Sequence, residues 1–239
     1  MVPWLRESEA LRLHAALLLD SLRLLSAGAR QAGATPFVSF SEAWSPRNRP
    51  DCGLIAGAAS GMARLPQSGA DLGERLQETF RRLFARGFRR VVVMGSDSPT
   101  LPVAMLKGAF AALGHAGDVV LGPAEDGGYY LVGATRLLPS MFEKIPWGTD
   151  RVMGATLAAL ELCGARHAVL PPWYDVDLPR DLERVRRALS RRPAGGFTPV
   201  STRAFVEALV RDGRLPLSGR RAVYPTWIRP RRPAHRRSR

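Results

Sequence analysis

The sequence contains few of the residues that build disulfide-rich, metal-clustered or membrane-spanning proteins. Its 239 residues include 2 cysteines, Cys52 and Cys163, whose separation fits neither a disulfide framework nor a metal or redox motif. The 4 histidines are isolated from one another, which argues against a zinc cluster. The longest apolar run near the start, Ala15 to Leu19, ends at Asp20 and is shorter than the ~20 residues of a membrane span. We therefore expect a soluble protein of a reducing, cytoplasmic compartment.

Lysine is almost absent, and the positive charge is unevenly placed. Residues 180–239 hold 17 basic and 4 acidic residues, whereas residues 1–179 hold 18 and 17. The net charge of +14 therefore belongs to a basic carboxyl-terminal region, and the rest of the chain is nearly neutral. Residues 229–239 (RPRRPAHRRSR) are predicted to be disordered. Nucleic acid would bind only through this basic region, by sequence-independent contacts to phosphates.

Two common catalytic motifs are missing, while an alternation of helices and strands is present. Neither a Gly-x-Ser-x-Gly elbow nor a Walker loop occurs, and Ser96 and Ser98 have no histidine near them in sequence. Residues 8–27 carry leucines at helical spacing, and Val91–Met94 is a β-branched run typical of a strand buried on both faces. The alternation continues over roughly 150 residues and predicts an α/β domain with a mostly parallel sheet.

Further elements are predicted from apolar spacing, capping residues and glycine stops. Asp71 and Glu74 have the spacing of a capping box, and Thr149 is a candidate cap for a later helix. Strands are expected at 35–40, 118–121, 129–132 and 166–170, with a weaker candidate at 52–57. Helices are expected from Leu72 up to Gly87, through Leu106 and Leu113 up to Gly114, after Thr149 up to Gly164, and at 181–189 and 202–211.

Two acidic segments have residues suited to binding a metal ion. Asp97 follows the predicted strand 91–94 directly, at the edge where open α/β sheets bind ligands. A carboxylate there suits Mg²⁺ or Mn²⁺ bound to a nucleotide diphosphate, although it could equally cap a turn. Asp175 and Asp177 alternate on an extended segment, so only one of them points into a shared cleft. Asp177 could also be a helix cap.

The segment Glu125–Gly128 lies between two apolar runs, which is typical of a hairpin turn. It also offers the carboxylates of Glu125 and Asp126 as contacts to substrate hydroxyls or to metal-bound water. Gly127 and Gly128 would allow a ligand to approach the backbone closely. The structural and the functional interpretation are compatible with each other.

A further segment, Phe142–Arg151, contains one aromatic residue with two interpretations. Trp147 would stack on a flat ligand, or it would close the core from a loop. Thr149 and Asp150 belong to the first turn of the next predicted helix in either case.

Taken in order, these segments resemble a bacterial family of GT-A-type nucleotide-diphospho-sugar transferases assigned to arsenosugar biosynthesis. The resemblance covers about residues 8–190 and depends on the motifs GADLGER (69–75), GSDSPTLP (95–102), GPAEDGGYYL (122–131), WGTD (147–150) and DVDLPRDL (175–182). The wider superfamily includes cofactor guanylyltransferases, which share the aspartate after a strand and the final aspartate-rich motif.

The resemblance implies a Rossmann-like, GT-A-type three-layer domain with a mostly parallel mixed sheet over residues 1–192, and a basic extension at 193–239. It implies a glycosyltransferase that moves a sugar from a nucleotide-diphospho-sugar donor to an unidentified small-molecule acceptor, with Mg²⁺ or Mn²⁺ as cofactor. Asp97 and Asp177 would hold the metal. Glu125 and Asp126 would be the catalytic carboxylates that position or deprotonate the acceptor hydroxyl. Substrate contacts would come from Ser96, Ser98, Gly127, Gly128, Tyr129, Trp147, Thr149 and Asp150.

One family feature is not found in this sequence. The family begins with a strand and a loop resembling Lys-x-Pro-x-x-Gly-x-Val-Lys-Thr-Arg-Leu, which cradles the nucleotide. Residues 1–6 (MVPWLR) instead lead almost directly into the first helix. A central strand is therefore expected to be missing, which would expose two strand edges.

Several hypotheses follow from that departure. The first is an incomplete start, and the second is an inactive member whose basic tail binds nucleic acid. In a third, the tail segment 221–224 fills the gap. A nucleotidyltransferase of the cofactor guanylyltransferase type is the alternative enzyme.

Overall fold

The computed structural model describes residues 5–41, 52–115, 118–190 and 197–215. The α-helices in these ranges are α1 (Glu7–Ala32), α2 (Cys52–Ala58), α3 (Leu72–Ala85), α4 (Val103–His115), α5 (Val152–Leu162), α6 (Pro179–Leu189) and α7 (Val200–Arg211). The strands are β1 (Phe37–Phe40), β2 (Ala63–Pro66), β3 (Val91–Met94), β4 (Val119–Pro123), β5 (Tyr129–Ala134) and β6 (His167–Val169). Within the described ranges, no helix is both long enough and apolar enough to cross a lipid bilayer.

The described strands form two sheets. β1 and β2 pair in parallel, and the other sheet has the order β3-β5-β4-β6. β5 is antiparallel to both of its neighbours, whereas β4 and β6 are parallel, so three of these four strands run in one direction. The predicted α/β fold with a mixed, mostly parallel sheet is confirmed.

Apolar clusters cover both faces of the four-stranded sheet. Phe80 of α3 and Leu160 of α5 belong to the cluster on one face. Leu24 of α1 and Leu106 of α4 belong to the cluster on the other face. Gly28 lets α1 approach α4 closely, because a Cβ there would collide with Leu106. The result is a helix–sheet–helix arrangement, which leaves the carboxyl ends of the strands available for a site.

Helix α7 packs on α1 through a buried carboxylate. Asp20 is fully buried and accepts hydrogen bonds from the backbone N–H groups of Ser201 (3.1 Å) and Thr202 (2.7 Å). Arg23 donates to the same carboxylate at 2.9 Å. A negative charge at a helix amino terminus is favourable, because the first N–H groups have no partners within the helix. Residues 197–215, in the predicted basic extension, thus pack on the folded body, whereas 221–224 and 229–239 lie outside the described residues.

Three local predictions have different outcomes. The weak strand candidate at 52–57 is wrong, because these residues form α2, whose Ile55 is buried against Leu19 and Leu22 of α1. Asp71 is confirmed as a helix cap, since its side chain accepts the N–H of Glu74 at 2.8 Å.

The prediction that Thr149 caps a helix is wrong. Its hydroxyl accepts the N–H of Arg151 at 3.3 Å, and α5 begins only at Val152. Thr149 therefore belongs to the loop before α5 and stays beside the cavity described below.

Candidate active site

The candidate site lies beyond the carboxyl end of β3, where three distant segments are tied together. The backbone N–H of Val176 donates to the carbonyl oxygen of Asp97 at 2.9 Å. The Ser98 hydroxyl donates to Oδ1 of Asp175 at 2.5 Å, and the Ser21 hydroxyl of α1 donates to the carbonyl oxygen of Ser96 at 3.0 Å. These bonds hold the segments of Asp97 and Asp175 side by side at the carboxyl end of β3, which is where open α/β sheets bind ligands.

Negative charge is concentrated in this site. Burial is the main cause that raises the pKa of Asp97 above its ordinary value, and the nearby charges of Asp177 and Asp126 raise that pKa further. Burial also raises the pKa of Asp175 to about 7, and the charge of Asp97 adds to the shift. Asp97 is still reachable by solvent, because it lines an open cavity. Carboxylates that repel one another in this way favour the binding of a cation.

The chemistry of these donors fits a divalent ion that arrives with a phosphorylated substrate. Within the described ranges, no three or more His, Cys, Asp or Glu side chains are arranged to hold a metal ion by themselves. Mg²⁺ commonly uses only one or two protein carboxylates and completes its shell with water and substrate phosphates. The charge of Asp97 interacts with that of Asp177, its predicted partner as a metal ligand, and also with that of Asp126.

Glu125 is held in an ion pair that the sequence did not reveal. Both of its carboxylate oxygens accept hydrogen bonds from Arg184 of α6, at 2.5 and 2.7 Å. This contact lowers the pKa of Glu125. The Arg184 guanidinium also lies 3.9 Å from the ring centroid of Tyr174. A carboxylate with a lowered pKa is a weak proton acceptor, and Glu125 is 59 residues from its partner, so no local pattern predicts the pair.

Asp126 and the two glycines form a tight turn against the loop before α5. Oδ1 of Asp126 accepts the N–H of Gly128 at 2.9 Å. Gly127 has a φ of +96°, and a Cβ at this position would collide with the backbone of Asp150. The N–H of Met153 donates to the carbonyl oxygen of Gly127 at 2.8 Å. Gly127 is therefore required at this position by the close packing of the turn against the backbone of Asp150.

Trp147 packs between the glycine-rich turn and α3. Its ring contacts Tyr129 edge-on, with centroids 6.1 Å apart, and a Cβ on Gly73 would collide with the indole. These contacts support the interpretation of Trp147 as a loop aromatic that closes the core. Trp147 also lines the cavity, so part of its side chain can contact a ligand bound there.

A cavity of about 790 Å³ joins many of the predicted site residues. The predicted residues that line it are Ser96, Asp97, Asp126, Gly128, Tyr129, Trp147, Thr149 and Asp150. Ser98, Glu125, Gly127 and Asp177 are not among the lining residues. The lining also includes Asp175, which the sequence left open as the alternative to Asp177, and Arg75 of the GADLGER motif.

Comparison with known proteins places the chain in a family. The model of the family DUF2064, described as an uncharacterized protein conserved in bacteria, matches residues 24–149. Among solved structures, a provisionally assigned nucleotide-diphospho-sugar transferase from Desulfovibrio desulfuricans G20 is similar, with a TM-score of 0.72, 28% identity and 86% of each chain covered.

Two further solved structures show weaker similarity. A 4-diphosphocytidyl-2C-methyl-D-erythritol synthase matches with a TM-score of 0.46 and 15% identity, over 70% of this chain and 89% of that one. A CMP:2-keto-3-deoxy-manno-octonic acid synthetase matches with a TM-score of 0.46 and 12% identity, over 70% and 86%. A search of curated proteins found no match. Since the family model covers more than half of the sequence, the chain belongs to the DUF2064 family.

Proposed function

We propose that this protein is a transferase that takes a sugar from a nucleotide-diphospho-sugar donor with the help of Mg²⁺ or Mn²⁺. The observation that carries the proposal is the convergence of Asp97, Asp126 and Asp175 on one cavity at the carboxyl end of β3. The similar protein from Desulfovibrio desulfuricans G20, described as a nucleotide-diphospho-sugar transferase, supports the same substrate class.

Asp97 and Asp177 are the residues that would hold the metal ion. Such an ion, when bound, would neutralise the negative charge of the diphosphate leaving group. The Ser98 hydroxyl donates a hydrogen bond to the Asp175 carboxylate and holds that side chain in one orientation. The hydrogen bond from the N–H of Val176 to the carbonyl oxygen of Asp97 fixes the two acidic segments relative to each other. These residues would therefore preserve the position of the carboxylates while donor and product exchange.

Asp126 is the residue to which we assign the contact with the acceptor hydroxyl. It lines the cavity, and Gly128 occupies only its Oδ1, which leaves Oδ2 to accept the hydroxyl proton. Glu125 would instead hold the turn in place through its ion pair with Arg184. Trp147 and Tyr129 would form the apolar wall that limits access of water to the reacting atoms.

A donor screen tests the proposal. Isothermal titration calorimetry with UDP-, GDP-, ADP- and dTDP-sugars in the presence of Mn²⁺ is expected to show binding of at least one donor. Asp97→Asn is expected to weaken that binding by about 100-fold or more, because it removes a carboxylate from the metal site. Asp212→Asn, which lies just after α7 and away from the cavity, is the matched control and is expected to bind as the parent does.

Two results would contradict the proposal. The first is the absence of heat with every donor of the panel. The second is release of pyrophosphate from a nucleoside triphosphate with a phosphorylated acceptor, which would identify a nucleotidyltransferase instead.

A further inference from the structure

The motif GADLGER (69–75) contains one cavity-lining arginine to which the proposed reaction has so far assigned no role. This residue is Arg75, near the start of α3. Gly69 has a φ of +134°, and a Cβ there would collide with Glu74 and with the backbone nitrogen of Arg75. The loop before α3 therefore folds tightly onto the start of the helix. As a result, the carbonyl oxygen of Gly69 accepts a hydrogen bond from Nε of Arg75 at 3.1 Å.

The start of α3 lies at the carboxyl ends of the strands. At the other end of the helix, the Arg86 guanidinium lies 5.9 Å from the ring centroid of Phe37, the first residue of β1. Phe37 also packs on Phe88, just before β3, with ring centroids 5.4 Å apart. The carboxyl end of α3 therefore lies where β1 and β3 begin. At its amino end, Gly73 approaches Trp147 so closely that a Cβ would collide with the indole, which places this end in the candidate site.

The guanidinium of Arg75 keeps donors that can bind a ligand. Among the described residues, it donates only through Nε and forms no ion pair. Its neighbour Glu74 instead accepts the N–H of Ala70 at 2.7 Å. Arg184 differs, since it donates to both carboxylate oxygens of Glu125. The bond through Nε restrains the planar group of Arg75, and the N–H groups of Nη1 and Nη2 remain for a ligand.

The charged residues that line the cavity indicate which ligand these donors suit. The acidic lining residues among those described are Asp97, Asp126, Asp150 and Asp175, and the basic ones are Arg75 and Arg90. Arg90 directly precedes β3, so it lies at the amino end of that strand, whereas Arg75 lies at the end that carries the aspartates. Carboxylates repel a diphosphate bound beside them, and a metal ion offsets only part of that repulsion. A second positive group at this end therefore favours binding of the diphosphate.

We propose that Arg75 binds the diphosphate of the donor, with Nη1 and Nη2 donating to phosphate oxygens. This inference rests on the proposed function and adds to it a binding residue that is neither a metal ligand nor a catalytic carboxylate. Arginine suits the role because its planar group presents two parallel N–H donors, which match two oxygens of a phosphate. Arg75 would also stabilise the negative charge that collects on the diphosphate as the sugar leaves.

The test uses the full chain and isothermal titration calorimetry in the presence of Mn²⁺. The probes are the UDP-, GDP-, ADP- or dTDP-sugar that binds the parent protein and the corresponding nucleoside diphosphate without sugar. Arg75→Gln is expected to weaken binding of both probes by about tenfold or more, because hydrogen bonds from a charged donor to the shared diphosphate are lost. Arg75→Lys keeps the charge but not the parallel donors, and its loss is expected to be smaller. Arg75 is exposed, so both variants are expected to unfold at the same temperature as the parent.

Arg90→Gln is the matched control, because it removes the same kind of side chain from the lining of the same cavity. Nη1 of Arg90 donates to the carbonyl oxygen of Phe110 at 3.2 Å, and binding of both probes is expected to be unchanged in this variant.

Three results would overturn the role of Arg75 and leave the proposed function standing. The first is binding of both probes by the Arg75→Gln variant as tightly as by the parent. The second is an equal loss in the Arg90→Gln variant, which would show a general effect of charge. The third is a loss with the sugar donor alone, which would place Arg75 on the sugar. If the parent binds none of the sugar nucleotides, the proposed function fails and the role of Arg75 fails with it.

Discussion

β4, which lies between β5 and β6, and β3, which lines the cavity, have similar residues but different surroundings. Val119, Val120 and Leu121 of β4 are fully buried, because β5 and β6 flank the strand. In β3, Val92 and Val93 are only half-buried, because they line the cavity. We call β4 and the α1–α7 contact the closed region, and the cavity with the β3 residues that line it the open region. The comparison shows that the apolar composition of a strand makes burial favourable, whereas the neighbouring strands and helices determine what fraction of its surface is buried.

The largest expected effect comes from a matched pair of valines. Val120 and Val92 lie on either side of Gly133 in the register of β5. Val120→Asp is expected to lower the free energy of unfolding by roughly 4 kcal/mol or more, because it buries an unpaired charge. Val92→Asp is expected to cost about 1–2 kcal/mol, since Val92 lines the cavity and the carboxylate can reach water there. Urea denaturation measures both free energies, and equal costs would show that Val92 is as buried in solution as Val120.

The next effect concerns the buried carboxylate of the closed region. Asp20→Asn is expected to lower the free energy of unfolding by roughly 2–4 kcal/mol, because the new amide group faces N–H donors of α7 and loses the ion pair with Arg23. Thermal denaturation at several pH values measures the loss. A neutral effect would mean that α7 does not dock on Asp20 in solution.

Replacement of Asp175, in the open region, is expected to raise the free energy of unfolding instead of lowering it. Because the pKa of Asp175 is raised to about 7, its ionised form is less stable in the folded protein than in the unfolded chain. In metal-free protein near pH 8, Asp175→Asn is expected to raise the free energy of unfolding by roughly 1–3 kcal/mol, after solvent screening is allowed for. The gain should shrink as the pH falls below about 7, and it should vanish only below the ordinary pKa of 3.8, where Asp175 is protonated in the unfolded chain as well. A gain that is independent of pH would refute the shifted pKa.

The smallest effect on stability is expected at the exposed ion pair beside the cavity. Glu125→Gln is expected to cost about 1 kcal/mol or less, because both partners reach solvent. Under the proposed function it should lower kcat only slightly, whereas Asp126→Asn should lower kcat by about 100-fold or more. Steady-state kinetics with the donor found in the screen compares the two. A larger loss in the Glu125 variant would reverse their assigned roles.

Local patterns in the sequence predicted the elements whose backbone conformation is favoured by their own residues. The β-branched run 91–94 is a strand, and Asp71 caps α3 as its spacing indicated. The 52–57 segment was misassigned because its apolar pattern is weak, and the packing of Ile55 on Leu19 and Leu22 of α1 is not visible in the local sequence. β2 was not predicted, since Leu65 is its one buried residue and no alternation is visible.

The sequence by itself determined the α/β class, the order of its acidic and glycine-rich motifs, and the basic character of the carboxyl-terminal region. Whether a first strand is missing stays a prediction, as do the metal ligands. Only the tertiary structure decided that Asp175 lines the cavity, that Arg184 holds Glu125, and that β5 lies between β3 and β4. The physical reason is that periodicity and capping act over a few residues. Strand pairing, ion pairs and shared electrostatic fields instead join groups that lie tens of residues apart.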